Sequence, residues 1–240
     1  MNFNKNTITC FLPCRKGSQR VKNKNTRQFA NLDNGLIEIK IKQLVKSDRI
    51  DQIIVSTDDE KVKETSKKIA SEVEKPIYII DRPSHLASSS TTTDSLIEHV
   101  PSIIHEGIVL WTHVTSPFVD EKIYDLALEN YLNNTSSKTH DSLMAVTKLQ
   151  NFIWNQSGPV NYQRSPIKWP QTQTLDILFE INSAFFIADI SIYRLNNDRI
   201  GIKPALFELA HPYSIDIDSL DQFYEAQHTW EIFQKNNSLT

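Results

Sequence analysis

The chain of 240 residues holds only two cysteines and five glycines, and nowhere an apolar run long enough to span a bilayer. Each shortage removes a class of protein. Without about 18 consecutive apolar residues a membrane helix is excluded. The opening Met1-Asn2-Phe3-Asn4-Lys5-Asn6 lacks the apolar core of a secretory signal, so a cytoplasmic location is expected. Cys10 and Cys14 lie four apart with no second pair to complete a zinc site, and they read as reduced thiols. The sparse glycines form neither a P-loop nor the three-glycine dinucleotide fingerprint. Net charge is −3, from 26 basic and 29 acidic side chains, which leaves no overall electrostatic footprint for nucleic acid.

The remaining composition, 39% hydrophobic and 23% charged, is that of a globular domain that buries a full core. Its length suits a single domain, residues 1–240, carrying a small insertion. Short apolar runs alternate with amphipathic stretches, the signature of βα units around a largely parallel, doubly wound sheet. Strands are expected at Thr7–Leu12, Ile53–Thr57, Ile77–Ile80, Ile108–Trp111, Leu143–Thr147, Ser183–Ala188 and Ser214–Asp218. Helices are expected near Leu36–Lys46, Lys61–Ala70 with Asp58 as its N-cap, Asp94–His105, Asp120–Leu132 and Leu220–Phe233. Residues 150–180 break the rhythm with Trp154, Gly158, Pro159, Pro166, Trp169 and Pro170. Such a stretch is long for a structureless loop and reads as an arm that packs on another subunit, its tryptophans serving as packing aromatics.

Charge is distributed unevenly. Between Arg15 and Arg27 stand six basic residues and no acid, immediately after the first strand, where an open α/β sheet meets phosphate. Gly17 and Ser18 allow backbone N–H groups to approach phosphate oxygens, and Arg15 and Lys24 supply fixed positive charge. A solvated basic surface is the plainer reading of a charge run, and the position after the first strand argues against it. Near the other end, Asp216 and Asp218 are two apart on an expected strand and share a face, giving a hard-oxygen pair. Mg²⁺ accepts one or two carboxylates when phosphates and waters complete its shell, and Mn²⁺ suits the same donors.

Taken in order, Arg15-Lys16-Gly17-Ser18 with Lys24-Asn25, Ile54-Val55-Ser56-Thr57-Asp58, Arg82-Pro83-Ser84-His85-Leu86-Ala87, Thr115-Ser116-Pro117, Asn182-Ser183-Ala184 and Ser214-Ile215-Asp216-Ile217-Asp218 resemble the acylneuraminate cytidylyltransferases, the CMP-sialic acid synthetases. The resemblance implies a nucleotide-diphospho-sugar transferase-like fold and transfer of CMP from CTP to the anomeric hydroxyl of an acidic nine-carbon α-keto sugar. It also implies that Arg15, Gly17, Ser18 and Lys24 hold the triphosphate, and that Asn25, Arg82 and Thr93 surround the cytidine. By the same similarity Asp216 and Asp218 bind Mg²⁺, and with Arg15 and Lys24 they form the catalytic set. His113, Thr115, Ser116, Asn182 and, from the arm of a homodimer, Arg164 and Lys168 meet the sugar.

Several positions depart from the family pattern. His113 and Val114 stand where the family has a Gln and its following residue, and Phe118-Val119-Asp120 replaces a run containing Arg. A legionaminic, pseudaminic or related acid then fits as well as sialic acid. CMP-Kdo synthesis is an alternative within the same chemistry. Asp216-Ile217-Asp218 also spells the D-x-D of metal-dependent glycosyltransferases, and a non-catalytic dimeric scaffold is the third reading.

Overall fold

The computed structural model describes residues 1–237. Its elements are β1 (Ile8–Cys14), α1 (Gly35–Lys46), β2 (Gln52–Thr57), α2 (Glu60–Ala70), β3 (Ile77–Asp81), α3 (Thr93–Ile103), β4 (Ile108–Thr112), α4 (Glu121–Ser136), β5 (Ser142–Leu149), β6 (Trp154–Asn155), β7 (Gly158–Pro159), β8 (Leu178–Asp189), α5 (Ile190–Asn196), β9 (Pro204–Glu208) and α6 (Leu220–Asn237).

Seven strands form one sheet in the order β3-β2-β1-β4-β8-β5-β9. All pairings are parallel except those of β8, which runs antiparallel to both β4 and β5. β2 and β4 are buried at every residue, as strands covered on both faces must be, and this explains their uninterrupted Ile/Val runs. One face packs against α1, α2, α4 and α6, the other against α3 and α5. The chain moves outward from β1 to β3 and then returns to β4 beside β1, so the winding reverses between β1 and β4. Ligands of open α/β sheets bind at such a reversal, outside the carboxyl ends of the strands.

The expected architecture therefore stands, with four corrections. Ser214–Asp218 is not a strand; it crosses the strand ends outside the sheet and is tied to it by Ile217 N–H donating to the Thr115 carbonyl at 2.9 Å. Pro204–Glu208 takes the edge place instead, where a first-position proline is tolerated because no partner needs its missing N–H. The cap of α2 is Asp59, whose carboxylate accepts from Lys61 N–H, and not Asp58. The short helix α5 was not expected; Asp189 caps it by accepting from Ser191 N–H at 2.8 Å.

The stretch 150–180 leaves the sheet as a projection. β8 spans 12 residues, and its outer half pairs with the end of β5 in a two-stranded ribbon, Leu149 facing Leu178. Ile177, Phe179 and Ile181 alternate along it and are all exposed, as are Trp154, Ile167 and Trp169. No described helix is long and apolar enough to cross a membrane.

Both cysteines are free and buried within β1. Burial pushes the Cys14 thiol up to about 12 and raises that of Cys10 as well. Thiolate is the reactive form. A thiol titration at pH 8 is expected to find neither cysteine in the native protein and both after unfolding in guanidinium; rapid native labelling of either would contradict this packing.

Candidate active site

At the winding reversal the basic loop folds back over the end of β1. Asn25 Nδ2 donates to the Arg15 carbonyl at 3.1 Å, and Lys16 N–H donates to Asp58 Oδ1 at 2.8 Å. Asp58 therefore acts as a brace for the loop from the end of β2. Gly17 adopts φ +76° with open space where a side chain would begin, a left-handed turn that favours glycine. Val21 is buried beneath the loop, so the cationic side chains project from a fixed frame.

Lys24 joins this frame to the far end of the chain. Its ammonium donates to the Ile217 carbonyl at 2.7 Å and lies 3.5 Å from Asp218 Oδ1. Burial lowers its proton affinity, while Asp218 and then Asp216 pull it back up. Arg20 reaches Asp218 Oδ2 at 3.0 Å, with both partners largely in solvent. Exposed pairs of this kind contribute little and exchange partners readily. Ile217 is fully buried between the two aspartates, so the alternation expected of a strand survives without one.

Asp216 is the more buried acid. Burial raises its carboxyl above the usual range, against the Thr115 side chain and the charge of Lys24. Its Oδ1 is buried with no hydrogen-bond partner among the described residues. A free buried carboxylate oxygen beside a second carboxylate fits a hard divalent cation. No described group of three or more His, Cys, Asp or Glu could hold a metal unaided, so phosphate and water oxygens would have to complete the shell.

These elements enclose a cavity of about 360 Å³ lined by Pro13, Arg15, Ser18, Gln19, Arg20, Lys24, Asn25, His113, Val114 and Thr115. A cavity of about 400 Å³ at the opposite ends of the strands is lined by Asn2, Asn4, Asn6, Thr7, Asp51, Gln52, Pro76 and Tyr78. It offers an anion no cation.

The β4 side of the site is held by a hydrogen-bond chain with a fixed direction. Thr112 Oγ1 donates to the Ala184 carbonyl, the Tyr124 hydroxyl donates to Thr112, and Lys40 Nζ donates to Tyr124 and to the carbonyls of Ser116 and Val119. Lys40 is fully buried, and burial pushes its ammonium down to about 7. It fixes the 115–119 loop from below. Ser116 is fully buried in that loop. Asn182 bonds Thr147, the Ser214 carbonyl and Ala184 N–H, which spends its amide on holding the 214–218 segment over β5 and β8.

His113 lines the cavity and receives Trp111 Nε1–H on its Nε2 at 2.9 Å. The neutral imidazole therefore carries its proton on Nδ1. Burial first, then the charges of Arg199, Lys24, Arg82 and Lys40, pushes it down to about 3.

Of the residues expected from sequence, Arg15, Ser18, Lys24, Asn25, His113 and Thr115 line one cavity, and Asp216 and Asp218 meet it through Lys24. Gly17 forms the turn at its rim. Arg82 lies behind this wall, buried, with Nη2 donating to the Ser56 carbonyl. Thr93 is exposed at the start of α3. Arg164 and Lys168 do not line the cavity; Arg164 is stacked between Trp154 and Trp169 on the projection. Arg20, Lys40 and Asp58 were not anticipated in these roles. Lys40 had a signal, since Leu36, Lys40 and Leu44 are spaced along one helical stripe that is otherwise apolar.

A cationic loop after the first strand, opposed by a carboxylate pair across the winding reversal, defines a nucleotidyltransferase. The chain belongs to the cytidylyltransferase family, whose model matches residues 9–218. It is 23% identical over 235 residues to a pseudaminic acid cytidylyltransferase of Campylobacter jejuni serotype O:2, covering 93% of this chain and 96% of that one. It is 24% identical over 222 residues to a post-translational flagellin modification protein B of Campylobacter coli, covering 88% of this chain and 90% of that one. Among solved structures it resembles a CMP:2-keto-3-deoxy-manno-octonic acid synthetase complexed with CTP, with TM-score 0.63, 12% identity, and coverage of 94% of this chain and 98% of that one. A 4-diphosphocytidyl-2C-methyl-D-erythritol synthase from Anaerococcus prevotii shares the fold at TM-score 0.60 and 14% identity, covering 94% and 99% of the two chains.

The pH behaviour of His113 tests this geometry. The unfolded imidazole takes a proton near 6.5 and the folded one only near about 3, so the unfolded state binds more protons between those values. Stability is therefore lost as pH falls below 6.5, the loss ending near 3. By NMR, the His113 ring is expected to remain the neutral Nδ1–H tautomer down to about pH 4; titration near its ordinary value would contradict the Trp111 bond and the burial.

Proposed function

We propose that this cytidylyltransferase activates a nonulosonic acid, pseudaminic acid first among them, by joining CMP from CTP to its anomeric hydroxyl with release of pyrophosphate. The single observation that carries the reading is the ion-paired closure of Lys24 and Arg20 on Asp218, which gathers triphosphate-binding cations and a metal-binding pair at one cavity. The names of the near full-length relatives support a nine-carbon acid.

The geometry suits the chemistry. The sugar hydroxyl oxygen bonds to the α-phosphorus while the bond from that phosphorus to the pyrophosphate oxygen breaks. Such a transfer asks for positioning and charge neutralisation more than covalent help. Arg15, Ser18 and the Gly17 turn hold the phosphates. Lys24, fixed by the Ile217 carbonyl, places its charge between them and the aspartates. Arg20, loosely held in solvent, transfers from Asp218 to a phosphate when the nucleotide arrives. Mg²⁺, or Mn²⁺ in its place, would be held by Asp216 and Asp218 and would neutralise phosphate charge. Asn25, Arg82 and Thr93 serve the cytidine side. His113, Thr115, Ser116 and Asn182 form or brace the sugar side.

The exposed Ile177, Phe179 and Ile181 face, with Trp154 and Trp169, supports assembly as a homodimer through the 150–180 projection. Arg164 and Lys168 would then meet the partner's substrate. Replacing both Trp154 and Trp169 by Ser is expected to convert the dimer to a monomer in sedimentation equilibrium. A wild-type monomer, or an unchanged dimer in the double variant, would overturn this assembly.

The activity is tested by incubating the protein with CTP, Mg²⁺ and, separately, pseudaminic, legionaminic, sialic and Kdo acids, following pyrophosphate and the CMP-sugar mass. CMP-pseudaminic acid is the expected product, and Arg15→Ala or Asp218→Ala is expected to lower turnover by ~10²–10³-fold with the fold retained. Turnover of Kdo alone would refute the nine-carbon reading. Transfer from a preformed nucleotide sugar without use of CTP would favour a glycosyltransferase, and CTP binding without product a scaffold.

A further inference from the structure

Two polar side chains stand on a face of α1 that is otherwise apolar and sealed in the core. Lys40 and Gln43 are three apart, so they point the same way, and both are buried on a helix whose other buried residues include Leu36, Ile37, Ile41 and Leu44. Each reaches the loop that follows β4. Lys40 Nζ donates to the carbonyls of Ser116 and Val119, both at 2.9 Å, and to the Tyr124 hydroxyl at 2.8 Å, which engages all three of its N–H bonds. Gln43 Nε2 donates to the Pro117 carbonyl at 2.6 Å. One helix thus grips the carbonyls of Ser116, Pro117 and Val119.

That loop carries the acidic segment. Ile217 N–H donates to the Thr115 carbonyl at 2.9 Å, one peptide group before the first that Lys40 holds. The Thr115 side chain lies close enough to the Asp216 carboxylate to favour its charged form. Lys24 takes the Ile217 carbonyl, so the residue between the two aspartates is held through its N–H by the 115–119 loop and through its carbonyl by the basic loop. An apolar side chain of similar volume fills a buried lysine's place at little or no cost in stability, whereas the ammonium must be desolvated. What the ammonium adds is direction: three donors fix distances and angles that apolar contact leaves free.

We propose that Lys40, assisted by Gln43, is a positioning residue for the metal-binding pair, holding the 115–119 loop so that Thr115 keeps the Asp216–Asp218 segment in place to take a divalent cation. Lys40 is fully buried and does not line the active-site cavity, so it acts through the loop alone. The proposal rests on the reading of Asp216 and Asp218 as metal ligands.

The test compares wild type with Lys40→Met and Gln43→Leu by two readouts. One is hydrogen exchange at the Ile217 amide relative to that of Val55, in the middle of the sheet; the other is the gain in CTP affinity that Mn²⁺ gives over CTP in EDTA. Lys40→Met keeps an unbranched chain and removes its donors. It is expected to lower Ile217 protection relative to Val55, and to shrink the Mn²⁺-dependent gain, each by roughly 3- to 30-fold, the range over which residues coupled through hydrogen-bonded networks act. The Kd of CTP in EDTA is expected to stay within twofold of wild type. Gln43→Leu removes one donor along with an Oε1 that is buried without a partner among the described residues, so it is expected to fold and to shift both readouts the same way by less. It carries the test if Lys40→Met does not fold. In the variant that carries the test, equal loss of protection at Ile217 and Val55, no loss at Ile217, or an unchanged Mn²⁺-dependent gain would overturn the proposal while leaving the metal reading intact. A wild type whose CTP affinity ignores Mn²⁺ would remove that reading and the proposal with it.

Discussion

The site depends on one lysine. Lys24 sits in the basic loop after β1, and its ammonium is held by the Ile217 carbonyl at 2.7 Å with Asp218 at 3.5 Å. The contact joins residues 193 positions apart, closing the loop and the acidic segment over the same crevice. A buried ammonium needs hydrogen bonds or an opposite charge to offset desolvation, and the Ile217 carbonyl and Asp218 supply both. The same arrangement makes the cavity asymmetric in charge, with cations on the loop wall and carboxylates at its edge. Removing either side would leave the other with an uncompensated charge, so the two motifs are energetically one unit.

The fold supplies the crevice, and buried polar contacts make it rigid. Winding reversal between β1 and β4 opens a gap at their carboxyl ends, and the loops that leave those strands become its walls. Lys40, placed in the apolar stripe of α1, holds the 115–119 loop from beneath through the carbonyls of Ser116 and Val119. Ile217 N–H then hangs the acidic segment on Thr115 of that loop. A path of hydrogen bonds thus runs from the interior of α1 to the aspartates. The projection formed by β5, β8 and residues 150–177 stands apart from this path and carries an exposed, alternating apolar face of Ile177, Phe179 and Ile181.

Much of this was legible before any coordinates. β2 and β4 declare themselves because doubly covered strands need unbroken apolar runs, and the basic loop stands out because six cations without an acid follow the first strand. The 214–218 segment was legible in chemistry but not in structure. Its alternation of aspartate and isoleucine is what a strand shows, yet the residues obey it because Ile217 enters the core while its neighbours face Lys24. β9 was hidden by its opening proline, α5 by its brevity, and the true cap of α2 by two adjacent aspartates of which the first braces the loop.

The central claim is that a nucleotide triphosphate and a divalent cation meet between the Arg15 loop and the aspartate pair. Crystals grown with CTP and Mn²⁺, with diffraction collected at the manganese edge, test it most directly. The account predicts an anomalous peak within coordination distance of Asp216 and Asp218, and the triphosphate lying against Arg15, Ser18 and Lys24. Manganese away from both carboxylates, or CTP seated in the cavity at the opposite ends of the strands, would contradict it.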